Sequence, residues 1–188
     1  MRKVTFGGAN SLDNFIARKN DEVDWLIWDP EVAAIFKEFW KTIDTVVMGR
    51  RTYETALRSG QDGYAGVKTY VFSRTLKKAS TKQVEIISEE ATSFLDRLKR
   101  ETGKAICVMG GGVLARSLFA ADLIDEVGVN VHPILLGSGI PLFHEMKQQI
   151  NLELLEAKRL HNGCVVLRYR VLHESIKKMK DEGTFTTS

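Results

Sequence analysis

Apolar residues along this chain fall into two rhythms. Short apolar runs bounded by glycine or polar residues read as buried strands, and segments with apolar residues every three or four positions read as helices. Residues 3–10 form the first run and end in the small residues Gly7-Gly8-Ala9-Asn10, where a flat ring or a neighbouring backbone can come close. A loop over 11–19 follows, with Phe15-Ile16-Ala17 as a short edge strand inside it. Asp29 as N-cap, Pro30 at the first helical position and Glu31 in the first turn then open a helix. Its residues Val32, Ile35, Phe36, Phe39, Trp40 and Ile43 recur at helical spacing and predict one buried face.

The pattern continues as a strand at 45–48, a short helix from Arg50, a polar glycine-bearing loop at 59–66, and strands at 69–73 and 84–87. Ser88 predicts a helix cap, with the helix running through Arg100 and Gly103 just beyond it. A strand at 105–109 feeds Gly110-Gly111-Gly112 and a helix over 113–121. After that the helices stop: 124–131, 152–160 and 165–172 all read as strands, and His161-Asn162-Gly163 is a hairpin turn. Alternating strands and helices followed by a hairpin predict an α/β domain of three layers. Its sheet is mixed, mainly parallel, with helices on both faces and a C-terminal antiparallel hairpin. One domain over 1–173 with a polar tail at 174–188 accounts for the whole chain.

A chain of 188 residues, 44% of them hydrophobic, can bury a core of its own. The net charge of +3 suits an anionic small ligand, and without a long Lys/Arg block it gives no reason to expect a nucleic-acid partner. Cys107 and Cys164 each lie in an apolar run, as expected of buried free thiols in a reducing compartment. The start of the chain lacks an apolar signal core and no run approaches membrane-spanning length, so a cytoplasmic protein with no membrane partner is expected. The four histidines show no metal-ligand spacing, and no metal is expected.

Chemistry concentrates at strand ends. Val46-Val47-Met48-Gly49 stops at glycine and opens a helix with Arg50-Arg51-Thr52. A helix start exposes backbone N–H groups at the positive end of its dipole and binds phosphate; guanidinium groups add matching charge. Gly110-Gly111-Gly112-Val113-Leu114-Ala115 fits the dinucleotide fingerprint G-x-G-x-x-G/A, although a plain strand–helix turn fits it equally. Ser73-Arg74 ends a third strand, where a hydroxyl and a guanidinium suit a further phosphate such as the one that separates NADP from NAD. Three such ends in one small sheet predict a dinucleotide phosphate site. Phe36, Phe39 and Trp40 read as core, whereas Trp25 and Trp28 precede the helix on the side of the small-residue strand end and could wall a planar substrate. Asn10 and His132 are further candidates for that surface.

Together these residues resemble the dihydrofolate reductase fold, and more closely the reductase domain of the bifunctional riboflavin-biosynthesis deaminase/reductase and its stand-alone relatives. The likeness runs from about Val4 to Leu172 and rests on Ser11-Leu12-Asp13-Asn14-Phe15-Ile16-Ala17, on Val47 to Glu54, on Val71-Phe72-Ser73-Arg74-Thr75, on Met109 to Gly112, and on Asp125-Glu126 through Pro141-Leu142-Phe143. The resemblance implies a reductase that binds NADPH and passes hydride to a small pyrimidine- or pterin-like heterocycle. It puts Ala9, Ile16 and Ala17 near the nicotinamide, Gly49, Arg50, Arg51 and Thr52 with Gly110, Gly111, Gly112, Val113 and Leu114 on the phosphates, and Ser73 and Arg74 on the selecting phosphate. It also implies a homodimer.

The chain departs from the dihydrofolate reductases where they carry a carboxylate early in the first helix; here Ala33 or Ala34 occupies that place. A buried carboxylate is what would protonate a pterin at neutral pH, so its absence counts against folate reduction. Asp13 and Glu31 are the acids left to contact substrate, and Asn14 stands where the family's opening loop has glycine. The rival readings are a non-catalytic nucleotide- or flavin-binding protein on the same fold, and a true dihydrofolate reductase.

Overall fold

The computed structural model describes residues 1–79 and 81–173; the predicted tail at 174–188 lies outside them. In chain order the elements are β1 (Val4–Ser11), β2 (Phe15–Ala17), α1 (Pro30–Lys41), β3 (Ile43–Gly49), α2 (Arg50–Arg58), β4 (Lys68–Phe72), β5 (Val84–Ile87), α3 (Ala91–Arg100), β6 (Ala105–Met109), α4 (Gly112–Ala120), β7 (Glu126–His132), β8 (Ile140–Pro141), β9 (Asn151–Arg159) and β10 (Val165–Leu172). Eight strands form one sheet in the order β5-β4-β3-β6-β1-β7-β10-β9, and β2 pairs with β8 as a separate ribbon. Neighbours from β5 to β7 are parallel; β10 runs antiparallel to both β7 and β9. The expected mixed, mainly parallel sheet with a C-terminal hairpin is what forms.

Strand alternation sorts the side chains into two faces. Val4, Phe6, Ile106, Val108 and Val127 point one way and meet Leu95 and Leu98 of α3 and Leu118 and Phe119 of α4 in the main core. Val46, Met48, Val71 and Cys107 point the other way, toward Tyr53 of α2 and Phe39 and Trp40 of α1. Val32 of α1 meets Leu160 and Cys164 beside the hairpin turn. Both thiols are free and buried, and burial pushes Cys107 up to about 12, so it stays a neutral thiol.

At the end of the sheet where β1, β3 and β6 begin, charged side chains fix the layers. Lys99 of α3 is buried and donates to both carboxylate oxygens of Asp125, at 2.8 and 2.9 Å, and to the Leu123 carbonyl at 3.0 Å. Asp125 also accepts from the Val4 amide at 2.7 Å. Arg2 pairs with Asp44 in the same region.

Two local expectations are corrected. The apolar stripe of α1 is not one buried face: among its residues Val32 alone is fully buried, Ile43 already belongs to β3, and Ile35, Phe36, Phe39 and Trp40 are half-buried. The reason is what lies beneath them, since the sheet there presents Thr5, Gly7, Gly8 and Gly128, too small to fill the gap. The helix expected from Ser88 starts at Ala91 behind Glu90, which makes no side-chain cap. Ile87 is still in β5, and its carbonyl accepts from the Ser73 amide, so the chain needs residues 88–90 to leave the sheet edge.

Candidate active site

The decisive turns are those that end β3 and β6. These strands are neighbours, with Met48 beside Met109, so the two glycine ends emerge side by side. Gly110 has φ +84, and a β-carbon there would lie 1.9 Å from the Thr52 hydroxyl of the adjacent turn. Close contact between the turns therefore requires glycine at 110. Gly111 differs: a β-carbon on it would meet no protein atom within 4 Å, and the same holds for Gly49. These two caps face open space. Neither α2 nor α4, each nine residues long, has a side chain capping its first turn, so both leave their leading N–H groups directed at that space.

The space is a cavity of about 760 Å³ bordered by Gly49, Thr52, Phe72, Gly111, Val113, Leu114 and the β8 residues Ile140 and Pro141. Lys19, Arg50, Arg51 and Arg116 border it too, with His144, and no Asp or Glu does. Arg50 is exposed and lies 3.5 Å from Glu54, while Arg51 pairs with Asp21 at 2.8 Å. Two uncapped helix starts in a cation-rimmed hollow free of carboxylates are arranged for a multiply charged anion.

A second cavity, of about 720 Å³, lies between α1 and the sheet. Its floor is Thr5, Gly7, Gly8, Gly128 and Asn130, and its roof is Val32, Ala34, Ile35 and Phe36. Met109 borders this cavity and Gly111, two residues on, borders the first, so the end of β6 runs between the two. Ala34 borders the slot at the carboxylate position of α1, and Glu31, three residues earlier, borders it too.

The candidate residues are distributed as follows. Ala9 sits at the end of β1 opposite Asn130; Ile16 packs on the main core and Ala17 is buried in the β2–β8 ribbon. Ser73 and Arg74 do not border the first cavity, where Phe72 does; the Ser73 hydroxyl accepts from the Thr75 and Leu76 amides at 3.2 and 2.9 Å, and Arg74 is exposed. Asn10 is buried on the face opposite Asn130, bonding the Ser11 carbonyl at 2.9 Å. Trp25 is buried against His132, and Trp28 is 65% exposed and tilted over Phe36, outside both cavities.

Neither acid is free. Asp13 accepts from Ser11 Oγ at 2.6 Å and from the Leu136 and Gly137 amides at 3.1 and 2.7 Å; the Ser11 hydroxyl is the main cause that holds its carboxyl below the usual range. It clips the loop after β1 to the loop before β8. Glu31 accepts from the His161 amide at 2.9 Å and lies 3.0 Å from the same residue's Nδ1, which likewise lowers it. Both carboxylates accept these bonds and are ionised at neutral pH; Glu31 also borders the second cavity, whereas Asp13 borders neither. Asn14 adopts φ +72. Asparagine tolerates this left-handed geometry better than most residues, which explains how it stands in for glycine.

Sequence reasoning missed Lys19, Arg116 and His144 at the first cavity and Asn130 at the second. Arg116 follows Val113 by three residues, a helical neighbour that i,i+3 spacing could have supplied. Among the described residues no His/Cys/Asp/Glu cluster could hold a metal ion, and no helix is long and apolar enough to cross a membrane.

The sequence matches the model of the RibD C-terminal domain over residues 2–166. The chain belongs to the RibD C-terminal domain family. Uncharacterized protein YwjB of Bacillus subtilis (strain 168) is 37% identical over 170 residues, 89% of this chain and 97% of YwjB. The crystal structure of a putative riboflavin biosynthesis protein from Shewanella sp. PV-4 superposes with a TM-score of 0.81 at 26% identity, covering 92% of this chain and all of that one. Dihydrofolate reductase from Enterococcus faecalis, complexed with NADP(H) and RAB-propyl, shares the fold alone: TM-score 0.65, 19% identity, 91% of this chain and 97% of that one.

Proposed function

We propose that this RibD-family domain is an NADPH-dependent reductase of the riboflavin-biosynthesis type, delivering hydride to a small, flat heterocycle. The observation that carries the reading is the pair of uncapped helix starts opening side by side onto a basic cavity that no carboxylate lines, with a glycine-floored slot bordered by the same strand, β6.

The residues present fit the cofactor. Gly49 and Gly111 leave room where a phosphate would stand, because a β-carbon at either meets no protein atom. Amides at the starts of α2 and α4 would hold the two phosphates, with Arg50 and Arg116 supplying charge. When bound, the dihydronicotinamide supplies the hydride. The chain's own contribution is positioning: the end of β6 runs between the two cavities, α1 shields one side of the slot from water, and the β2–β8 ribbon borders the other cavity. Ala34, standing at the slot where the dihydrofolate reductases carry their carboxylate, speaks against folate as the substrate.

The test is binding followed by turnover. NADPH should raise the Tm of the full chain and should do so more than NADH. Its absorbance should then fall in the presence of at least one pyrimidine, pterin or flavin, without inhibition by methotrexate. Absence of any thermal shift with NADPH overturns the proposal, and binding without oxidation across the panel favours a non-catalytic nucleotide-binding protein.

A further inference from the structure

Asn130 lies in the middle of the sheet on the face toward α1, sharing that face of β7 with Gly128 and His132. It is 6% exposed, borders the slot, and its Oδ1 is sealed from solvent without a hydrogen-bond partner. Two residues on, His132 is 1% exposed and its Nδ1 lies 3.1 Å from the Asn130 carbonyl. A carbonyl oxygen only accepts, so Nδ1 is the donor in this bond. Nε2 too is buried and unpartnered. The Trp25 ring stands perpendicular to the His132 ring, centroids 5.2 Å apart, and its buried indole N–H also lacks a partner. Of the five buried side-chain polar atoms left unpaired among the described residues, three thus gather at one corner of one sheet face. Folded proteins pair nearly all such groups, and clustered exceptions mark places where something else completes the bonds.

We propose that Asn130 reads the substrate. Its carboxamide offers an acceptor and a donor side by side, the complement of a ring –NH–C(=O)– edge. Gly128 with Gly7 and Gly8 gives that ring a flat floor, and Val32 and Ile35 close over its apolar face. The ligand class is a planar heterocycle with a lactam or imide edge, and Asn130 fixes which edge enters. The inference rests on the reductase reading for its biological substrate, but the recognition it describes needs no cofactor.

Lumazine and 1,3-dimethyllumazine share a ring system and differ in whether the ring nitrogens carry hydrogen. Calorimetric titration of the cofactor-free full chain should show lumazine binding about tenfold tighter or better, the scale of one or two buried neutral hydrogen bonds. In Asn130→Leu that preference should vanish, with Tm unchanged or raised, since a merely structural unpaired amide is better replaced by an apolar group. Asn130→Ala gives the same comparison if the leucine variant does not fold. The proposal is overturned if wild-type protein does not distinguish the two compounds, or if the folded variants retain the distinction. NADPH affinity, measured separately by nicotinamide fluorescence, should be unchanged in the variants. Failure of wild-type protein to bind NADPH would remove the reductase reading, while the lumazine comparison would still decide the role of Asn130.

Discussion

The two cavities are built by different means. The basic one is made of backbone: two strand ends, two uncapped helix starts and glycines that keep the amides accessible. The slot under α1 is walled by side chains from distant segments, Thr5, Val32, Ala34, Cys107, Asn130 and Val166 among them, over a glycine floor. The first kind of site is recorded within a few consecutive residues. The second exists only once the sheet has assembled, and its chemistry can change by substituting one side chain without disturbing the turns. Under the proposed function, this division would let one cofactor cradle serve many substrates.

Substitutions can separate the two. The largest expected effect is from Gly110→Ala. It forces a left-handed conformation on alanine and drives a methyl into Thr52, so unfolding stability should drop by about 2 kcal/mol or more, with NADPH binding lost as the turns part. Chemical denaturation and a fluorescence titration would measure both. Gly111→Val should sharpen the contrast: its β-carbon meets no protein atom, so Tm should change little while NADPH affinity falls at least tenfold. An affinity equal to wild type would show that no phosphate occupies this turn.

Ala34→Phe should do the converse, narrowing the slot. NADPH affinity is expected to be unchanged and kcat/KM toward any substrate that turns over to fall several-fold, visible in steady-state assays with NADPH saturating. Arg116→Ala removes one cation from the basic rim and should weaken NADPH only a few-fold at low ionic strength, the difference shrinking as salt is added.

The smallest effect concerns pH. Glu31 has a lowered folded-state pKa, so the stability it adds by tying α1 to the hairpin is fully present above its unfolded value. That stability is lost as pH falls through the depressed one. The Tm gap between wild type and Glu31→Gln should be small and constant at neutral pH and close on acidification. An activity profile of the same variant that keeps its shape near neutrality would show that Glu31 is not a proton donor.

The element order, the two glycine turns and the C-terminal hairpin were legible because each is written in local periodicity and turn residues. Asp29 caps α1 through the Val32 amide at 2.8 Å, as its position before Pro30 implies. Burial along α1 was not legible, because a helical stripe says which face is apolar and not what lies opposite. The glycines and Thr5 that leave that face half-covered belong to strands far away in sequence. The long-range bonds of Asp13 and Glu31 were hidden for the same reason: Leu136, Gly137 and His161 lie 123 to 130 residues away. The sequence alone determined where amides would be left free, since capping and φ preferences are local properties of a few adjacent residues. Only the folded sheet decided which side chains would share a wall, because packing brings together residues that no spacing rule connects, and Asn130 acquired its setting there.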